Sequence, residues 1–130
     1  MNIERKVIAI DCDGTIVTHE YPRMGKAIPN AIEVIKKLKK AGHILILLTM
    51  RGRGNYLKDA IEYSQAAGLE FDFYNCYPPQ ARWTNSEKVY YDILVDDAAF
   101  GCPLINDGFS DRAYVDWFKV EEGLIERKVL

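Results

Sequence analysis

The sequence lacks any long apolar run: its longest, Ile44 to Leu48, is far shorter than the roughly 20 residues needed to cross a bilayer and suits a buried strand instead. Histidine is scarce, and His19 and His43 stand at no metal-ligand spacing, so both are expected at the surface. Cysteine is limited to Cys12, Cys76 and Cys102, an odd number without the pairing of a zinc site or a disulfide framework, which predicts free thiols. Met1 is followed by Asn-Ile-Glu-Arg-Lys and not by an apolar leader, and a cytoplasmic location is expected. An excess of positive charge is missing too. Seventeen Lys and Arg against 19 Asp and Glu give a formal charge of −2, which provides no field for a phosphate backbone or an anionic lipid surface, so neither nucleic acid nor membrane is expected as a partner. The single basic cluster, Lys36, Lys37, Lys39 and Lys40, lies opposite Ile32, Ile35 and Leu38 at helical spacing and reads as a solvated helix face. Internal repeats and low-complexity linkers are absent as well.

What is present is ordinary for a folded domain. With 48% apolar and 28% charged residues the chain lies far from the compositions that stay disordered, and 130 residues suit one domain, 1–130. Val7 to Ile10 is an apolar run ending abruptly at Asp11-Cys12-Asp13-Gly14-Thr15, as a strand buried on both faces does. Pro29 suits a first helical turn, Ala31 to Ala41 has apolar residues at helical spacing, and Gly42 provides a stop. Ile44 to Leu48 predicts a second strand leading to Thr49-Met50-Arg51-Gly52; Asn55 is placed to cap a helix reaching Ala67 and closed by Gly68. Phe71 to Tyr74, Tyr91 to Val95 and Pro103 to Ile105 predict three further strands. Ser110 is placed to cap a last helix whose core stripe is Ala113, Tyr114, Trp117 and Phe118. Strands alternating with helices imply an α/β fold, a doubly wound, mainly parallel sheet with helices on both faces. Ligands of such sheets bind beyond the carboxyl ends of the strands. Three strands end there in reactive side chains: Asp11 with Asp13, Thr49, and Asp96 with Asp97.

Asp11 and Asp13 are two residues apart, so on an extended chain both carboxylates face one way and Cys12 the other, ready to share a metal or substrate. Gly14 lets the chain turn sharply and a ligand approach the backbone. Arg51 and Arg53, just past Thr49, are of the type that clamps phosphate or carboxylate, and Arg51 is a candidate substrate ligand.

The run Asp11-Cys12-Asp13-Gly14-Thr15 after an apolar strand resembles the first signature of the haloacid dehalogenase superfamily, and the likeness extends from about Lys6 to about Pro103. The resemblance implies a magnesium-dependent phosphomonoester hydrolase. Asp11 is then the nucleophile that forms an aspartyl-phosphate, and Asp13 the general acid/base, a residue that separates the phosphatases from the dehalogenases. By the same resemblance Thr49 donates to a phosphoryl oxygen. Lys88, ahead of the Tyr91 to Val95 strand and followed by Val89 where many relatives have Pro, is the candidate third-motif lysine. The resemblance also implies magnesium held by the Asp11 side chain, the Asp13 backbone carbonyl and Asp96, with Asp97 acting directly or through water. The cap common in that superfamily has no room here: Thr15 to Ile28 allows a short flap and Asn75 to Glu87 a modest loop, so the site is expected to be open, its cover coming from a large phosphorylated substrate or a homo-oligomer. Two other classes compete. A response-regulator receiver uses similar residues, but its acidic pair follows the first strand and its phosphorylated Asp the third, whereas here Asp96-Asp97 follows the fourth and Phe71 to Tyr74 ends in Asn75. A binding module that recruits phosphate without turnover is the second.

Overall fold

The computed structural model describes residues 2–52 and 54–130. Val7–Ile10 forms β1, every residue buried, and pairs in parallel with β2 (Ile44–Leu47) on one side and β4 (Ile93–Val95) on the other. β3 (Phe73–Tyr74) adds to the far side of β2, so the order is β3-β2-β1-β4. Helix α1 (Ala31–Lys40) connects β1 to β2, and α2 (Asn55–Ala66) connects β2 to β3. Both steps move outward in the same direction, and right-handed crossovers then place both helices on one face. The apolar contacts agree: Val34, Ile35 and Leu38 of α1, Ala60 of α2, and Trp117, Val120 and Leu124 of α3 (Trp117–Glu126) all pack with Ile8, Ile10, Leu45 and Leu47.

The expected helices on both faces are not found. From β3 the chain must return across the sheet to reach β4, and that return passes over the second face, where Tyr77, Val89 and Tyr91 cover Val7, Ala9 and Ile46. The segment contains Pro78-Pro79 and folds only into a short 3₁₀ turn, Pro78–Arg82. Two consecutive prolines and the lack of a 3.6-residue apolar stripe leave no basis for an α-helix there. The sheet is covered by helices on one side and by an aromatic loop on the other.

Three local expectations change as well. Gly54, and not Asn55, holds the N-cap position of α2. Tyr114–Val115, expected in the last helix, is a strand (β6) pairing antiparallel with β5 (Leu104–Ile105) in a separate two-stranded sheet. Asp116 rather than Ser110 caps α3, accepting from the Phe118 and Lys119 N–H groups, and Phe118 is exposed. His43 is buried and not at the surface: the Lys6 N–H donates to Nδ1 at 3.0 Å, and Nε2 lies 2.7 Å from the Val129 carbonyl, an arrangement that the neutral Nε2–H tautomer satisfies. That imidazole pins the C-terminal segment to the start of β1. Among the described residues no helix is long and apolar enough to cross a membrane.

Candidate functional site

The sheet order reverses between β1 and β4, the place where open parallel sheets leave a crevice at their carboxyl edge. Asp11 extends the ladder by one bond, its N–H donating to Val95 O at 3.0 Å, so it leaves the sheet beside the end of β4. The chain then turns tightly around the Cys12 carbonyl, which accepts from the N–H groups of Thr15, Ile16 and Val17. The turn sends the Cys12 side chain into the core, where burial pushes its thiol up to about 12 and leaves it unreactive. Gly14 has φ +83°, and a Cβ placed there would fall 2.4 Å from Asp97 Oδ2. The positive φ favours glycine here, and the Asp97 carboxylate occupies the space a side chain would take. Thr15 is fully buried and joins the two strand ends: its hydroxyl donates to Asp11 Oδ2 at 3.0 Å and accepts from the Asp97 N–H at 3.1 Å.

One carboxylate oxygen from each of Asp11, Asp96 and Asp97 lies within 4.8 Å of the others. Burial, then the Asp96 charge, then a hydrogen bond shared with Asp97 push the Asp11 carboxyl up to about 8, against the weaker opposing pull of the Cys12 N–H and the Thr15 hydroxyl. Asp96 is raised as well, chiefly by burial. Three crowded carboxylates with oxygen-only donors form a set of the kind that hard divalent cations take. Asp13, expected to contribute its backbone carbonyl, has its side chain outside this cluster.

Asp13 instead forms a two-pronged ion pair with Arg51, Nε to Oδ2 and Nη2 to Oδ1, both 2.8 Å. Arg51, a candidate substrate clamp on sequence grounds, does line the cleft, but its donors are already engaged by the protein. The guanidinium is buried, and its remaining N–H groups donate to the carbonyls of Pro22, Arg23 and Tyr56, so all five donors are engaged within the protein. It ties together the turn after β1, the flap and the first turn of α2. Arg53 lies outside the described residues.

Thr49 follows β2 and reaches the same cleft. Its N–H donates to Asn75 Oδ1 at 2.7 Å and its hydroxyl accepts from the Arg51 N–H at 3.1 Å; no acceptor among the described residues takes its hydroxyl proton. Lys88 is not brought to the site. It lies just ahead of Asp92, whose carboxylate accepts from the Val7 N–H at the amino edge of the sheet, and it lines a separate hollow with Trp83 and Tyr90. The return loop crosses the whole sheet before entering β4, so residues immediately upstream of that strand stand at the edge opposite Asp11.

The cleft has a volume of about 460 Å³ and brings Asp11, Asp13, Thr49, Asp96 and Asp97 together with His19, Tyr21 and Arg112. These last three were not legible as site residues. His19 and Tyr21 arrive on the flap, a small loop closed by bridges from Val17 to Asp13 and Ala27, and Arg112 arrives on the loop between β5 and β6. The flap is short, as expected, and Tyr21 packs on Tyr56 at 5.5 Å between ring centroids.

No protein-family model matches the chain, and no curated protein matches it. It is similar to a solved structure, that of a conserved protein coded by a locus from Bacteroides thetaiotaomicron, with 38% identity over 96% of this chain and 93% of that one and a TM-score of 0.78. At this identity and coverage the chain belongs to the same family as that protein. The likeness carries the α/β fold and no activity.

Proposed function

We propose that this protein is a magnesium-dependent phosphomonoester hydrolase of the haloacid dehalogenase type, with Asp11 as nucleophile. The observation that carries the proposal is the convergence of Asp11, Thr49, Asp96 and Asp97 from three strand ends on one cleft at the point where the sheet order reverses. Asp11, Asp96 and Asp97 would hold the cation, which offsets the repulsion between a carboxylate nucleophile and an anionic phosphoryl group. An Asp11 oxygen attacks phosphorus as the bond to the leaving alkoxide breaks, and the alkoxide takes a proton from Asp13. Water, deprotonated by Asp13, then attacks the aspartyl-phosphate, releasing inorganic phosphate and restoring Asp11. The Thr49 hydroxyl, its proton unclaimed among the described residues, donates to a phosphoryl oxygen. Asp13 is held as a carboxylate at both oxygens by Arg51, so to act as the acid it has to free one oxygen and take up the proton that a monoanionic phosphomonoester brings, which it then passes to the leaving alkoxide.

The test is hydrolysis of an aryl phosphate with and without magnesium by the wild type and Asp11→Asn. Magnesium-dependent turnover that the variant loses supports the proposal, and equal rates in the two proteins would remove Asp11 as nucleophile.

A second proposal, a module that binds phosphate without turnover, draws on two features: Asp13 is held at both oxygens, and no lysine is among the described residues lining the cleft. Phosphate binding by a wild type that hydrolyses no phosphomonoester would favour it.

A further inference from the structure

If the three carboxylates hold one doubly charged cation, the cleft would still be a net anion before any phosphate arrives. The Asp13–Arg51 pair cancels itself and adds nothing, and Lys88 stands at the far edge of the sheet. A phosphoryl group entering the cleft therefore needs another positive partner. Arg112 lines the cleft, and its guanidinium has no hydrogen-bond or ion-pair partner among the described residues.

Its position is built rather than incidental. The β5–β6 hairpin that carries it is docked onto the turn after β1: the Val115 N–H donates to Gly14 O at 3.1 Å, and the Trp117 indole N–H to Thr15 O at 2.6 Å. Within the hairpin loop the Tyr114 hydroxyl is placed 2.9 Å from both Asp107 oxygens, and the Phe109 ring packs on Tyr114. The flap closes on the same loop, with the Lys26 ammonium donating to Phe109 O and standing 4.2 Å from the Phe109 ring centroid. Flap and hairpin are thus latched together as two lips, His19 on one and Arg112 on the other.

We propose that Arg112 binds the non-bridging oxygens of the substrate phosphate from the β5–β6 hairpin, a position on the C-terminal side of Asp96 and Asp97. This deepens the hydrolase reading and rests on it for the identity of the ligand. A planar guanidinium whose donors no described residue claims matches a phosphate in charge and shape. Because the side chain is exposed and without partners among the described residues, its replacement is expected to leave folding intact.

The experiment is calorimetric titration of wild type, Arg112→Ala and Arg112→Lys with inorganic phosphate in the presence of magnesium, alongside aryl phosphate kinetics and thermal melts of the same proteins. Arg112→Ala is expected to weaken phosphate binding at least about tenfold and to raise KM, with an unchanged melt; Arg112→Lys is expected to recover part of the loss. Phosphate binding by Arg112→Ala equal to wild type, or no phosphate binding by wild type, would overturn the assignment. The two proposals fail separately. Normal hydrolysis with unaltered KM and phosphate affinity in Arg112→Ala sinks only the arginine, whereas phosphate binding that depends on Arg112 in a protein without turnover sinks only the hydrolase.

Discussion

At the amino edge of the four-stranded sheet, Asp72 and Asp92 each accept a backbone N–H, from Leu45 and Val7 respectively, and each has a second partner, Lys39 for one and Tyr90 for the other. At the carboxyl edge, Asp11, Asp96 and Asp97 crowd one another. The same side chain is a structural brace at one edge and a source of repulsion at the other. Burial pulls Asp92 upward, yet the Tyr90 hydroxyl, the Val7 N–H and the Lys6 charge outweigh it and hold the carboxyl below its usual range. Burial and like charge push Asp11 the opposite way. An edge that lowers its own stability while its neighbour is fully satisfied is what a site arranged for a ligand looks like, since charge left uncompensated by the protein is available to one.

The comparison can be broken at several points. The largest effect is expected from Asp11→Asn, which should lower magnesium-dependent kcat on an aryl phosphate by about 1,000-fold or more while raising the melting temperature of the cation-free protein. A fall in both quantities would mean that Asp11 is a brace like Asp92. Next is Arg51→Ala, which leaves Asp13 without its partner and the flap without its tie. A loss of about 3 kcal/mol in urea unfolding is expected, as for other buried pairs broken on one side; a loss below about 0.5 kcal/mol, the scale of an ordinary surface substitution, would contradict the engaged guanidinium.

Acidity separates the two edges by sign. For Asp11, folded protein holds a proton that unfolded chain has released between the ordinary value of 3.8 and about 8, so this group makes cation-free stability fall as pH rises through that window. Asp92, lowered on folding, contributes stability above the ordinary carboxylate range and loses it as pH falls toward its folded value. Melts of wild type against Asp11→Asn from pH 4 to pH 8 should converge at the acid end and diverge at the alkaline end, and magnesium should close the gap by binding the folded state. Parallel curves would remove the assigned crowding. The smallest effect is expected from Asp92→Ala: about 1 to 2 kcal/mol of stability from the orphaned Val7 N–H, with kcat unchanged.

Much of this was legible in the chain because it is local. Val7 to Ile10 and Ile44 to Leu47 are continuous apolar runs, and residues that follow parallel strands meet at one edge once those strands are neighbours, so Asp11, Thr49, Asp96 and Asp97 assemble from pattern alone. Ala113, Tyr114, Trp117 and Phe118 share a helical spacing, and there the pattern misled: Tyr114–Val115 found a partner strand, and Asp116 started the helix six residues later than the expected cap at Ser110. The path of the return loop over the second face, invisible to periodicity, put Lys88 at the wrong edge and left that face without a helix.

Composition, periodicity and the Asp11 to Thr15 run by themselves determined an α/β chain with an acidic cleft beyond its strands. Only the tertiary structure decided which guanidinium the protein leaves unclaimed at that cleft, because this depends on who else takes its donors: Arg51, adjacent in sequence to the site, is fully engaged inside the protein, while Arg112, distant in sequence, is brought to the cleft by a docked hairpin and has no partner among the described residues.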